Sequence, residues 1–231
     1  MRRSAVHEAG GGAARGAARA GEVERHVVER GRYDRSKSAS ARNKAARRAV
    51  VAAASAVFAA RGYAGASVED VVRAAGISRR TFYQHFDDLA DALAAVHDAA
   101  GRFAVVRVEQ AVAAAASPSA KLERGLAALL SLVSENPGLA RALFSEARLA
   151  GPRLEARQEK LRAHFAALLR RVLQEARAQG ELARAPDELA VIALIAGVEA
   201  VGAHLAKHGA PGLEAATASM VRLARGACAA R

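Results

Sequence analysis

One cysteine (Cys228), no tryptophan and an aromatic content of only 4% mark this 231-residue chain by what it has little of. A single thiol excludes an internal disulfide and fits a reducing, cytoplasmic setting. With 52% hydrophobic residues and so few aromatics, alanine supplies much of the apolar surface, which predicts helices packed closely through small side chains. No stretch alternates apolar and polar residues as a half-buried strand would, and no repeat recurs. Catalytic signatures are also missing: there is no G-x-S-x-G, no P-loop, no G-x-G-x-x-G after a strand, no C-x-x-C and no H-E-x-x-H. An enzyme is therefore not expected. No run of about 18 uncharged apolar residues occurs, and the nearest approach, Leu189 to Val198, is too short to span a membrane. The opening MRRSAVHEAGGG has basic residues without an apolar core behind them, so it does not read as a secretory signal. His204 and His208 stand at i, i+4 with Glu199 a turn earlier, a spacing that can hold a metal on a helix face. No Cys or Asp partner lies nearby in sequence, and a histidine pair complementing a helix C-terminus is the plainer reading. Neither metal nor cofactor is expected.

Acidic residues are in deficit as well, 23 against 35 basic ones, for a net charge of +12. The excess is uneven. Residues 1–86 carry 17 Lys and Arg against 7 Asp and Glu, a net of +10, while residues 87–231 carry 18 against 16. A basic N-terminal third on a nearly neutral remainder is the distribution that phosphate-backbone binding requires, because released counterions supply affinity of no sequence preference.

Beside that charge lies the most ordered pattern in the chain, Ser67 to Phe86, SVEDVVRAAGISRRTFYQHF. Ser67 can cap a helix starting at Val68, with Asp70 completing a capping box. Val68, Val71, Val72 and Ala75 form an i, i+3, i+4, i+7 stripe, and Gly76 can end the helix in the left-handed region. Ile77 plugs the turn, and Ser78 caps a second helix over about 79–85. Phe82 and Phe86 share its inner face, which leaves Arg79, Arg80, Thr81, Tyr83, Gln84 and His85 outside. Two short helices joined by a Gly turn, the second basic and polar on its outer side, make a helix-turn-helix that reads DNA.

At these residues the run S-V-E-D-V-V-x-A-A-G-I-S-x-x-T-F-Y-x-H-F resembles the DNA-binding motif of TetR-type transcriptional regulators, a likeness specific over about residues 43–95. The resemblance implies that Tyr83 and His85 reach phosphates and that Arg79, Arg80, Thr81 and Gln84 face base edges or the groove wall. It implies further that Ser67 and Ser78 belong to the DNA-binding element and that Lys44, Arg47 and Arg48, in the first turn of a helix over 43–61 capped by Asn43, approach the backbone. Many members carry a lysine near position 89; this chain has Leu89, flanked by carboxylates, so no phosphate contact is expected there.

The remaining chain predicts an all-α architecture of about nine helices. Residues 1–42 read as a disordered basic arm, 43–87 as the DNA-binding domain and 88–231 as a ligand-sensing and dimerisation bundle. The bundle helices run from Asp88 to about Ala116, then about 119–135, 139–149, 153–179, 187–208 and 212–229, divided by Pro118, Asn136-Pro137-Gly138, Gly151-Pro152, Gly180, Pro186 and Gly209 to Gly212. Helix 187–208 is the most apolar, with small residues at Ala193, Ala196, Gly197, Ala200 and Gly202. By the resemblance it joins the last helix in a homodimer interface through Val191, Leu194, Ile195, Val198, Val201 and Leu205. A small-molecule effector would bind among Phe103, Arg107, Phe144, Glu146, His164 and Phe165. The expected protein is a cytoplasmic, non-membrane homodimer that binds palindromic double-stranded DNA and is released by its effector. The competing reading is a non-sensing architectural protein whose bundle serves only to dimerise.

Overall fold

The computed structural model describes residues 39–140, 151–184, 186–208 and 212–229. Among them lie nine α-helices: α1 (Ala39–Arg61), α2 (Val68–Ala75), α3 (Arg79–Tyr83), α4 (Leu89–Ala113), α5 (Pro118–Glu135), α6 (Pro137–Ala140), α7 (Pro152–Ala178), α8 (Glu188–His208) and α9 (Leu213–Ala227). Helix starts follow side chains that satisfy otherwise unpaired N–H groups. Ser67, Ser78, Asp88 and Ser117 each accept a hydrogen bond from the backbone N–H three residues on. Asn43 does not cap α1, contrary to expectation: the helix begins at Ala39, so Asn43 lies inside it and Lys44, Arg47 and Arg48 lie beyond its first turn. The expected basic arm otherwise falls outside the described residues, and so does most of the helix expected over 139–149.

Two buried clusters hold these helices. The first gathers Val50, Ala54 and Phe58 of α1, Val71 and Val72 of α2, Phe82 and Phe86, and then Ala92 to Val96 of α4 with Leu154 of α7. The expected boundary after residue 87 is thus not a gap in packing, because the first half of α4 completes the core of the helix-turn-helix unit. The second cluster joins Leu122 and Leu130 of α5, Val172 and Leu173 of α7, Leu194, Val198 and Leu205 of α8, and Met220 and Ala224 of α9. Ion pairs cross between helices outside it: Arg107 with Glu135 at 2.7 Å, and Lys121 with Glu175 at 2.7 Å.

Two results depart from the sequence reading of α8. The whole helix is long and apolar enough to cross a membrane by length and composition, with a mean hydropathy of 2.0 in its best window, although Leu189–Val198 alone is too short. It packs against α5, α6, α7 and α9, with one side left exposed. The six side chains expected at a dimer seam differ in exposure within one chain. Val191, Leu194, Val198 and Leu205 are buried within the protomer, and Ile195 and Val201 are half-buried. Hydrophobic burial within one chain thus occupies four of the six, and Ile195 and Val201 keep part of their surface open. Among the described residues of α8 and α9, the exposed large apolar side chains are Leu189, Ile192 and Leu223.

The turn into α6 brings the bundle's backbone against that of α1. A Cβ added at Gly138 would lie 1.9 Å from the Ala59 carbonyl oxygen of α1. Replacing Gly by Ala in a helix ordinarily gains about 1 kcal/mol. Here the atom in the way is backbone and cannot rotate aside, so overpacking should win. Gly138→Ala should lose about 1–3 kcal/mol in chemical denaturation; a stabilised variant would show that the two segments separate freely.

Candidate nucleic-acid interface

The helix-turn-helix is built as its sequence dictates. Gly76 takes φ 65°, ψ 34° at the end of α2, the left-handed geometry that an L side chain resists. Its N–H and that of Ile77 then close the turn on the Arg73 and Val72 carbonyls. Ser67 and Asp70 form a full capping box: the Asp70 N–H donates to Ser67 Oγ at 3.2 Å, and the Ser67 N–H donates to Asp70 Oδ2 at 3.1 Å. Arg61, at the end of α1, donates to Asp70 Oδ1 at 2.8 Å and so fixes α2 against α1. Under α3, the fully buried Phe82 and nearly buried Phe86 stack with centroids 5.6 Å apart. That aromatic base fixes which way the rest of the short helix faces.

The outer residues divide into two groups. Arg79, Arg80, Tyr83 and Gln84 are exposed. Thr81 and His85 are half-buried; Thr81 is engaged with Ser78, their hydroxyl oxygens 2.9 Å apart, and His85 packs on Phe86. Ser67 and Ser78 spend their side chains on capping. Arg79 pairs with Glu69 of α2 at 3.4 Å, and a hydrogen bond with Tyr83 together with that carboxylate holds its guanidinium even more firmly protonated than usual. Lys44, Arg47 and Arg48 are exposed on α1, and the Arg47 guanidinium sits 4.8 Å above the centre of the Phe86 ring. This cation–π contact links the basic face of α1 to the end of the reading element. Forked donors on a rigid helix, with further cations to the side, are groups that can pair with phosphates and base edges.

The bundle holds a cavity of about 200 Å³ whose lining includes His97, Ala100, Phe103, Leu129, Val133, Asn136, Leu139, Ala140, Leu161, Arg162, Phe165, Ile195 and Glu199. Phe103 and Phe165, expected at an effector site, belong to this lining. Arg107 and His164 do not. Arg107 is held by Glu135 and Ser131, and His164 by Glu109 at 3.2 Å. Phe144 and Glu146 lie outside the described residues. Sequence reasoning missed His97, Arg162 and the inward role of Glu199, which pairs with Arg162 at 2.7 Å. The one available signal was a lone histidine in the apolar run LAAVHDAAG. Among the described residues no group of three or more His, Cys, Asp or Glu could hold a metal, and the His204 and His208 rings stack with centroids 4.5 Å apart.

Comparison with known proteins decides the family. A family model described as bacterial regulatory proteins, tetR family, matches residues 50–96, and one for a tetracyclin repressor-like C-terminal domain matches residues 115–227. The chain belongs to the tetR family. Solved structures similar to this regulator include a tetR-family regulatory protein from Rhodococcus RHA1, 19% identical with TM-score 0.65, over 80% of this chain and 98% of that one. The regulator FadR from Bacillus subtilis, in complex with stearoyl-CoA, is 22% identical with TM-score 0.67, over 78% and 98%. FadR from Bacillus halodurans is 22% identical with TM-score 0.68, over 78% and 95%. These likenesses concern the fold. No curated protein matches the chain.

The capping box gives a test by titration. The Ser67 hydrogen bond, helped by Arg61 and opposed by partial burial, holds the Asp70 carboxyl below its usual range. A carboxyl with a lower pKa when folded adds stability above its unfolded pKa, and that contribution is lost as pH falls through the folded value. Asp70→Asn should therefore be less stable than wild type at neutral pH, with the gap closing on acidification through the carboxylate range. A gap that persists in acid, measured by denaturation at each pH, would assign the effect to shape rather than charge.

Proposed function

We propose that this TetR-family regulator is a cytoplasmic, homodimeric repressor, released from a palindromic operator by a small apolar effector. The observation that carries the reading is the reading helix itself: exposed Arg79, Arg80, Tyr83 and Gln84 on a base of buried Phe82 and Phe86, with Arg47 of α1 over the Phe86 ring. Arg79 and Arg80 fork onto base edges, Thr81 and Gln84 meet the groove wall, and Tyr83, His85 and Lys44 contact phosphates. Two such helices must enter successive major grooves about 34–36 Å apart, which calls for a dimer. Residues 43–87 serve as the DNA-binding domain and 88–231 as the sensing and dimerisation domain. The partner lies on the exposed face of α8 and α9 that holds Leu189, Ile192 and Leu223. The small residues Ala193, Ala196 and Ala200, exposed along the same helix, admit a close helix.

The cavity supports an effector with an apolar body; the stearoyl-CoA held by FadR of Bacillus subtilis has one. Release works through differential binding, since a ligand shifts only an equilibrium between states it binds unequally. Two routes lead from cavity to DNA. Helix α4 lines the cavity at His97 and Ala100 and enters the helix-turn-helix core at Ala92 to Val96. Asn136, Leu139 and Ala140 line the cavity on either side of Gly138, which abuts Ala59.

Footprinting on bound genomic fragments should reveal short palindromic protection, whereas diffuse protection would favour an architectural role. In titrations at fixed salt, Arg79→Ala or Arg80→Ala should cost about 1–3 kcal/mol on the cognate operator and relax preference at particular bases. Tyr83→Phe should weaken all sequences about equally. Unaltered operator binding in all three variants would remove residues 79–85 from the interface. For assembly, Ile192→Glu should give folded monomers by light scattering with operator affinity lost; a dimer that still binds would place the partner elsewhere.

A further inference from the structure

His97 lies on α4 with 6% of its surface exposed and its ring on the wall of the 200 Å³ cavity. Its Nδ1 is buried without a hydrogen-bond partner among the described residues. An unpaired polar atom in such a place carries a desolvation cost that a suitably placed ligand group recovers. Most of the remaining wall is apolar, including Leu129, Leu130, Val133, Leu161, Phe165 and Val198. The space exceeds the ~150 Å³ apolar cavity that takes benzene.

The charges around His97 are already spent. Asp98, its neighbour on α4, pairs with Arg157 of α7, and Arg162 of α7 pairs with Glu199 of α8. These four are the charged groups that act on the ring. Among the described residues they offer two cations and two anions, and each cation already has an acidic partner. Burial pushes the His97 pKa down, so the ring is uncharged at neutral pH, with one N–H donor and one lone-pair acceptor.

We propose that this cavity takes an uncharged, mostly apolar ligand, somewhat larger than a single benzene ring, whose one hydrogen-bonding group is received by His97. A carboxylate in the same place would be desolvated with no unpaired countercharge among the described residues, since Arg162 is already engaged by Glu199. The proposal rests on the reading of the cavity as the effector site, and it names the chemical class that site selects.

Three aromatic probes of one shape separate the cases, measured by calorimetry on the full chain: β-naphthol, β-methylnaphthalene and β-naphthoate. Wild type should bind β-naphthol at least about tenfold more tightly than β-naphthoate. His97→Phe should weaken β-naphthol by about three- to tenfold, the worth of one neutral hydrogen bond, and leave β-methylnaphthalene within about twofold. His97→Gln, which keeps a donor and an acceptor, should retain part of the β-naphthol preference. β-Naphthoate binding as tightly as β-naphthol would overturn the proposal without recourse to any variant. So would a His97→Phe protein, helical by circular dichroism, that weakens both neutral probes equally. If none of the three binds wild type, the cavity is not an effector site, and both the parent reading and this one fall.

Discussion

The fold depends on α4 belonging to two cores at once. Its first half, Ala92 to Val96, fills the space beneath α1, α2 and α3, and its later turns face α5 and α7. Three of those five residues are alanine. Their small side chains let neighbouring helices come close, and burying them sacrifices no rotamer freedom. Dispersion between closely spaced backbones then replaces the large aromatic contacts that this chain lacks. Without that shared helix the reading unit, whose own helices are eight and five residues long, would have too little core to hold α3 in one orientation. Short helices are marginal in isolation, and packing must supply the difference.

The bundle shows the same economy with charge. Arg107 with Glu135, Lys121 with Glu175, Arg157 with Asp98 and Arg162 with Glu199 join helices pairwise, so the bundle, nearly neutral in sequence, is also locally balanced in space. Such half-exposed pairs add little stability. Their larger effect is to fix which helix faces which and to leave the cavity wall without a net charge.

Much of the fold was legible because its signals are local. Ser67, Asp70, Gly76 and Ser78 announce their caps and turn through backbone chemistry that hardly depends on distant residues. Pro118, Gly180 and Pro186 mark helix ends for the same reason. The start of α1 was misread because Asn43 is a plausible cap only if nothing upstream is helical. The face of α8 could not be read either. A helix apolar nearly all round gives no periodic hint of which side meets its own core and which side remains open, so Val191 and Ile192 look alike until the neighbours are placed. His97 escaped for a related reason: a histidine on an apolar stripe is ordinarily satisfied core, and only its missing partner and the adjoining space set it apart.

The contact between Gly138 and Ala59 has a mechanical side. Side chains absorb displacement by changing rotamer, so a push between two of them fades over a few ångströms. Where backbone meets backbone there is no such slack, and no rotamer change can absorb a push. Ala59 stands near the end of α1, and Arg47 lies on the same stiff rod, about 18 Å away at 1.5 Å per residue. A tilt at one end becomes a sideways sweep at the other. A shift of the Gly138 turn would thus act on a lever whose far arm carries Arg47 beside the reading helix, with glycine, by having no side chain, at the fulcrum.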